Sequence, residues 1–285
     1  MSNSIHLISL LLLTSGLSIQ AQEKRAMTFD EMVGWERISE QRISDDGKWV
    51  FCKMEPWRGD ATIQLYNGKG EKKETFKPAS KAQFSASSEY LLVTKVPSLE
   101  KVEAEKLKKT DKDQMPMNSL VISCLSGGME TIDSLKSYKL SETADWLAYQ
   151  RGSKKDSTLY IRSLDGMLKD SFPAVSDFGF AQKGNVLYAV SDSVLYTYIP
   201  RISDKKGVFK KIAFNENGSK LAYLFCADKD SATTRSSLYL AENNTPGKLI
   251  AERGDKAFPS AWIISENAAL YFSENANRLF FGTAP

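Results

Sequence analysis

The chain has 285 residues, of which 42% are hydrophobic and 26% are charged, and its formal net charge is +3. This balance is typical of a soluble globular protein with a sizeable core, and it excludes wholesale disorder. A charge so close to zero also argues against a nucleic-acid partner, because phosphate-binding proteins usually concentrate Lys and Arg on one face.

Residues 1–21 have the pattern of an export signal. An almost unbroken aliphatic run covers residues 8–13, polar residues follow, and Ala21 offers a small side chain at a cleavage point. The run is too short to span a membrane. We therefore predict a signal peptide at 1–21 and a periplasmic or secreted mature protein with no membrane span.

Residues 22–42 form a polar lead-in with large apolar side chains at intervals of three residues. These side chains are Phe29, Met32, Trp35 and Ile38. The spacing places them on one side of a short helix, so we predict a helical cap on the body of the protein.

From residue 43 onward, one short phrase occurs six times in the same register. The copies begin at Ile43, Phe84, Leu140, Phe180, Phe214 and Phe272. The fifth place always holds a small residue, namely Gly47, Ser88, Ala144, Gly184, Gly218 or Ala276, and the eighth is always aliphatic. A small residue permits the positive φ of a tight turn, and the apolar run behind it predicts a strand. We expect the runs at 50–52 and 221–225 to be buried on both faces.

A second strand-like run follows each of the first five phrases, and in all but the fourth unit a turn signal comes after it. In the first unit, residues 62–66 lead to Asn67-Gly68, a strong hairpin dipeptide. A unit of roughly 40 residues with about four strands has the size of one propeller blade. We therefore predict an all-β fold over 43–285, a β-propeller of about five to six four-stranded blades. The last phrase starts close to Pro285, so we expect an incomplete last blade and an open or truncated ring.

The second unit contains a charged insert at 98–117. Ten of the fourteen residues from Glu100 to Asp113 are charged, with both signs equally represented. Such a run predicts a solvated excursion on the rim, either a short helix or a flexible loop, with a docking site for a charged partner as the alternative.

The sequence offers little catalytic chemistry. The only histidine is His6, inside the predicted signal, so the mature residues have no Ser-His-Asp triad, Cys-His pair or histidine zinc site. Ser98 and Ser203 begin Ser-x-x-Lys matches in polar loops without companion motifs, and Asp228 and Asp230 predict a solvated turn. We therefore predict no catalytic, cofactor-binding or metal-ligating residue and no cofactor. A carboxylate-based carbohydrate enzyme stays open, since nothing singles out a pair of acids.

Cysteines and aromatic residues are expected to serve packing. Cys52, Cys124 and Cys226 lie far apart in apolar runs, which predicts small buried hydrophobes, with one disulfide and a spare thiol as the alternative. The seventh place of the first three phrases is aromatic, and we expect its side chains to pack between blades. These residues are Trp49, Tyr90 and Trp146.

Several stretches together resemble the N-terminal propeller of exported bacterial serine peptidases of the prolyl oligopeptidase family, in their Bacteroidetes-type long forms. They are Gly34-Trp35 and residues 43–50, 115–120, 146–150, 214–223 and 272–285. The resemblance implies that the propeller precedes a C-terminal α/β-hydrolase domain and filters the peptides that reach it. That domain is absent from this sequence, so no catalytic residue is carried over.

Two functions remain open from the sequence. The resemblance implies a non-catalytic propeller portion of a serine peptidase, whose partners are peptide substrates and a hydrolase domain. The alternative is a free-standing periplasmic propeller that acts as a protein-binding or scaffold module through its rim loops.

Overall fold

The computed structural model describes residues 25–152, 158–183, 186–197, 206–227, 236–243, 245–259 and 261–285. The predicted signal peptide lies outside these residues and stays a prediction. The chain divides into two units, residues 1–35 and 36–285. None of the helices in the described ranges is long and apolar enough to cross a membrane.

In the first unit, the structure describes residues 25–35, which contain the short helix α1 (Phe29–Val33). Thr28 caps it, since its Oγ1 accepts a hydrogen bond from Glu31 N (3.3 Å) and its own N donates to Glu31 Oε2 (3.0 Å). This reciprocal pair is a capping box, which fixes the start of a helix. The helix is shorter than predicted, because residues from Glu36 onward pair with a neighbouring strand. The lead-in predicted at 22–42 therefore ends at residue 35, and Ile38 lies on a strand.

The second unit is a series of antiparallel sheets. Blade 1 contains β1 (Glu36–Ile43), β2 (Trp49–Pro56), β3 (Thr62–Asn67) and β4 (Lys72–Phe76). A seven-stranded sheet follows, with β5 (Ala79–Phe84), β6 (Tyr90–Lys95), β7 (Asn118–Cys124), β8 (Met129–Leu140), β9 (Trp146–Arg151), β10 (Thr158–Ser163) and β11 (Leu168–Phe172). The helix α2 (Leu99–Leu107) separates β6 from β7.

The remaining strands form the last three blades. Blade 4 contains β12 (Val175–Phe180), β13 (Leu187–Ser191) and β14 (Val194–Thr197). Blade 5 contains β15 (Val208–Phe214), β16 (Lys220–Cys226), β17 (Ser237–Glu242) and β18 (Lys248–Ala251). Blade 6 contains two strand pairs, β19 (Ile263–Ile264) with β22 (Thr283–Ala284) and β20 (Tyr271–Phe272) with β21 (Leu279–Phe280).

Blades 2 and 3 share the long strand β8, which is why their sheet has seven strands. Its first half pairs with β7 as the outer strand of blade 2, and its second half pairs with β9 as the first strand of blade 3. Ser134, with a φ of 57°, lies just before the residue where the partner changes. The predicted propeller of four-stranded blades is confirmed. No sheet of the described residues joins the first blade to the last, as expected of an open propeller.

The repeated phrase forms the turn between the first two strands of a blade. Its fifth residue has a positive φ where this turn is tight, at Gly47 (72°), Ser88 (60°), Gly218 (77°) and Ala276 (54°). In each of these turns the fifth N–H donates to the carbonyl of the second residue, as Gly47 N does to Ser44 O (2.9 Å). The prediction is wrong at Ala144, where Trp146 N donates to Ala144 O instead. Gly184 lies outside the described residues.

Hydrogen bonds join the turns of successive blades. Asp46 N donates to Ser88 Oγ (3.2 Å), linking blade 1 to blade 2. Lys183 N donates to Glu216 O (2.6 Å), linking blade 4 to blade 5. These links place the turns together at one end of the propeller, which we call the turn end.

The core is a series of apolar clusters between neighbouring blades. Phe51 and Ile63 of blade 1, for example, pack against Leu91 and Val93 of blade 2, and all four are fully buried. The aromatic seventh places contact such clusters, as predicted, at Trp49, Tyr90 and Trp146. The second strands are buried on both faces at 221–225 but not at 50–52, where only Phe51 is fully buried.

The three cysteines are free in the structure, and the prediction that they are small buried side chains holds for Cys226, whereas Cys52 and Cys124 are only partly buried. Cys52 lies on β2 and Cys124 on β7, while Cys226 ends β16, whose last six residues are all buried.

Candidate functional site

The first strands of the blades lie next to the propeller axis. Strand β12 contacts β8, and β15 contacts β20, so these first strands lie side by side. In blades 1 to 4 each carries a β-bulge at the same place, four residues before the phrase. The bulged residues are Ser39, Ser80, Lys136 and Ser176. A bulge bends its strand and re-aims the neighbouring side chains, so the same device recurs along the axis.

Serine hydroxyls stabilise three of these bulges. The Oγ of Ser39, Ser80 and Ser176 each donates to a carbonyl of the second strand, over 3.5, 3.4 and 3.3 Å. The residues that follow are polar, and two of them, Lys81 and Asp177, are exposed. The bulges therefore present polar side chains beside the axis of the propeller.

A pocket of about 350 Å³ lies among the first strands of blades 3, 4 and 5. Its polar lining residues are Lys139, Glu142, Asp177 and Gln182. Its aromatic lining residues are Phe178, Phe180, Tyr188 and Phe214. Glu142 and Gln182 belong to phrase turns, so the pocket lies towards the turn end. Apolar walls with a few polar groups are typical of a ligand site.

Asp177 and Tyr188 form the polar centre of this pocket. The Oη of Tyr188 donates to Asp177 Oδ2 (3.2 Å), and Asp177 Oδ1 accepts from Phe178 N (2.9 Å). Burial raises the pKa of Tyr188 well above its ordinary value, and the negative charge of Asp177 raises it further. Tyr188 therefore stays protonated at neutral pH and holds the carboxylate in place by donating its proton.

A glycine lets the tyrosine ring lie flat over the first strand. A Cβ at Gly179 would come within 2.9 Å of Tyr188 Cε1, which is closer than real side chains approach. The ring of Tyr188 also contacts that of Phe214, with centroids 5.8 Å apart. Gly179 thus allows the close packing that fixes the tyrosine between blades 4 and 5.

The pocket can bind a ligand but lacks the parts for breaking a bond. Among its described lining residues there is no serine, cysteine or histidine, and its tyrosine is held protonated. The described residues also contain no group of three side chains able to hold a metal ion. Its walls combine aromatic side chains with charged side chains of both signs.

Two of the residues considered from the sequence have structural roles. Ser98 is the N-cap of α2, where its side chain accepts from Lys101 N (3.3 Å), so this Ser-x-x-Lys match is a helix start. Asp60 Oδ1 accepts from Leu99 N (2.8 Å) and ties the same helix to the loop after β2. Ser203, Asp228 and Asp230 lie outside the described residues.

Sequence reasoning missed the four pocket residues Lys139, Glu142, Asp177 and Tyr188. They come from separate blades, and no spacing in the chain brings them together. One signal was present, because Asp177 lies at the same place before its phrase as Glu40 and Lys81. A polar residue recurring at that place, next to a serine, marks the bulged side of a first strand.

The fold and the pocket together define a β-propeller with a pocket beside its axis. No family model matches this sequence, and no curated protein matches it. The chain is similar to the β-propeller domain of the Trilobed protease from Pyrococcus furiosus, with 10% identity and a TM-score of 0.46 over 88% of this chain and 78% of that one.

Two whole peptidases are also similar. Pyrococcus horikoshii acylaminoacyl peptidase has 12% identity and a TM-score of 0.44, over 87% of this chain and 43% of that one. Prolyl oligopeptidase B from Galerina marginata has 12% identity and a TM-score of 0.43, over 87% of this chain and 38% of that one. The chain thus spans less than half the length of either enzyme. An initiation factor matches comparably, so these likenesses decide neither activity nor partner.

Proposed function

We propose that this chain is the non-catalytic propeller portion of a prolyl oligopeptidase-like serine peptidase and that it selects the peptides reaching a hydrolase domain. The observation that carries the proposal is the pocket beside the axis, lined by first strands of three successive blades. A peptide passing along the axis would meet Asp177 and Lys139 there. The family part of the proposal rests on the sequence resemblance described above.

The lining of the pocket suggests how a peptide would be held. Phe180, Tyr188 and Phe214 offer an aromatic surface for one side chain of the peptide. Asp177, fixed by Tyr188, accepts hydrogen bonds from an amino group or backbone N–H, and Lys139 pairs with a carboxylate or carbonyl. The donor groups and the acceptor groups of the peptide thus each find a partner in the pocket, and no covalent step is needed.

Peptide binding can be tested with a short proline-containing peptide that carries fluorescein. Fluorescence anisotropy of the full chain gives its affinity, and Asp177→Ala is the test variant. Loss of one charge-assisted hydrogen bond is worth about 1.5 kcal/mol or more, so we expect at least roughly tenfold weaker binding. Glu40→Ala is the matched control, because Glu40 has the same place before its phrase in blade 1 but does not line the pocket.

Either of two results would contradict peptide selection by this pocket. One is equal affinity of the wild type and Asp177→Ala for the labelled peptide. The other is no binding by the wild type at peptide concentrations in the millimolar range, which would favour the scaffold function instead. Circular dichroism of each variant separates loss of the site from loss of the fold.

The absence of catalysis is tested on the purified chain. We expect no turnover of proline-containing or dipeptidyl chromogenic substrates, because the sequence beyond residue 21 contains no histidine to serve a serine nucleophile. Substrate turnover that stays with the chain through every successive chromatography column would refute a non-catalytic role.

We also propose that the protein is exported through the signal at 1–21. Expressed in a Gram-negative host, the mature protein should then begin at Gln22, as intact-mass spectrometry can measure. A cytoplasmic product that retains Met1 or the following residues of the signal would overturn this proposal.

A further inference from the structure

The charged side chains that line the pocket beside the axis are not paired with one another. The acids are Asp177 of blade 4 and Glu142 of blade 3, and the single base is Lys139 of blade 3. Across the part of the chain that the structure describes, none of the three takes part in an ion pair. Two carboxylates and one ammonium group give the lining a net charge of −1, which favours a cation as the ligand.

The carboxylate of Asp177 is oriented and still has acceptor sites left. Its Oδ1 accepts one hydrogen bond from Phe178 N (2.9 Å), and its Oδ2 accepts one from Tyr188 Oη (3.2 Å). A carboxylate oxygen has two lone pairs, so each oxygen retains one. Both donors are neutral and leave the negative charge in place, and the residue is exposed to solvent. A planar guanidinium group matches such a pair of oxygens with two parallel N–H donors.

Aromatic rings lie beside this carboxylate. Phe180, Tyr188 and Phe214 line the pocket, and all three are only partly buried. The rings of Tyr188 and Phe214 have centroids 5.8 Å apart and are tilted by 53°. The face of an aromatic ring attracts a cation, and a guanidinium group also stacks on it through its own plane. The pocket therefore offers a cation both an ionic partner and an aromatic surface.

Other side chains would use only part of this arrangement. An acidic side chain would meet two carboxylates. An apolar side chain would cover the rings but would take water away from Asp177 and leave its acceptor sites unpaired, which costs free energy. The ammonium group of lysine is a point charge that cannot supply two parallel donors.

We propose that this pocket selects peptides by an arginine side chain, whose guanidinium group pairs with Asp177 and stacks on the rings of Tyr188 and Phe214. The inference rests on the proposed function, because it names the class of peptide that the same pocket selects. Lys139 and Glu142 then lie beside the peptide rather than on its guanidinium group.

Four labelled peptides that differ at one residue test this selectivity. All contain proline and carry fluorescein on the amino terminus, which removes the charge there, and the varied residue is arginine, lysine, citrulline or glutamate. Citrulline has nearly the shape of arginine without its charge. In fluorescence anisotropy with the full chain, we expect the arginine peptide to bind about tenfold more tightly than the citrulline peptide. The lysine peptide should lie between them, and the glutamate peptide should bind most weakly.

Asp177→Asn shows whether the selectivity comes from this pocket. The amide keeps the size of the side chain and removes its charge, so the ratio of the citrulline and arginine dissociation constants should fall to within about threefold. Glu40→Gln is the matched control, because it removes a carboxylate at the same place before the phrase of blade 1, and it should keep the wild-type ratio. Circular dichroism shows whether each variant is folded.

The possible failures separate this inference from the proposed function. Equal binding of the arginine and citrulline peptides, with both weakened by Asp177→Ala, would overturn arginine selectivity and leave peptide selection by the pocket in place. A preference for arginine that Asp177→Asn does not change would show that the selectivity lies elsewhere, and the inference would be wrong. Failure of all four peptides to bind would overturn both.

Discussion

The order of the blades makes a quantitative prediction about two matched substitutions, Leu135→Ala and Ile38→Ala. Both residues lie five places before a phrase, on the first strand of blade 3 and blade 1 respectively. Leu135 is 4% exposed within the cluster between blades 2 and 3, and Ile38 is 57% exposed on the first strand of blade 1. The two sites thus differ in whether a preceding blade covers them.

The expected losses follow from this difference in burial. Truncating a buried leucine to alanine removes apolar contacts and leaves a cavity, which costs about 2–5 kcal/mol, so we expect about 3 kcal/mol at Leu135. Ile38 is already more than half exposed to water. The loss of unfolding free energy there is therefore set by the lower strand propensity of alanine compared with isoleucine, which is worth up to about 1 kcal/mol. The midpoint of thermal unfolding should fall by roughly 6–12 °C for Leu135→Ala and by at most roughly 4 °C for Ile38→Ala.

Urea titrations followed by circular dichroism give both free energies of unfolding. Equal losses at the two positions would show that a neighbouring blade covers Ile38, and the open ring would then be wrong.

Three further predictions concern single sites. Gly179→Ala should destabilise the fold by about 1–3 kcal/mol in urea titrations, because its Cβ would overlap the ring of Tyr188, and an unchanged midpoint would contradict that packing. The hydrogen bond from Ser44 holds the pKa of Asp46 at about 2, so NMR titration should find it there and Ser44→Ala should raise it. Because the folded pKa is depressed, the stability that Asp46 contributes is present above about pH 4 and is lost as the pH falls towards 2. Asp60→Ala should speed tryptic cleavage within α2 by about fivefold, since the first helical N–H loses its acceptor, and an unchanged cleavage rate would show that this contact does not hold the helix.

Most of the fold could be predicted because its information is local and repeated. A small residue such as Gly47 before a polar residue and an aliphatic run specifies a turn and a strand within ten residues. Repetition then makes the architecture clear. The shared strand β8 could not be predicted, because it depends on a change of partner near Ser134 rather than on composition. The lead-in was predicted too long, since Ile38 fits helical spacing equally well.

The pocket could not be predicted because its residues are not local. Lys139, Asp177 and Tyr188 come from three strands of two blades. Pairing of β12 with β13 brings Asp177 and Tyr188 together, and only the packing of neighbouring sheets brings Lys139 beside them. Tyr188 occupies the ninth place of its phrase, where other blades have Phe51 or Leu92, so the sequence predicts a core residue there. Tyr188 belongs to the pocket because its hydroxyl donates a hydrogen bond to the carboxylate of Asp177, which follows the bulged residue Ser176.

The pocket does not depend on how the first and last blades are arranged. The pocket is lined by blades 3, 4 and 5, and both of its bordering contacts, between blades 3 and 4 and between blades 4 and 5, are packed within one chain. Its geometry therefore does not require a closed ring. It follows that Ile43→Glu, a substitution at an exposed position of blade 1, should bind the labelled peptide as tightly as the wild type. If that variant lost peptide binding while remaining folded, the assignment of selection to blades 3 to 5 would fail.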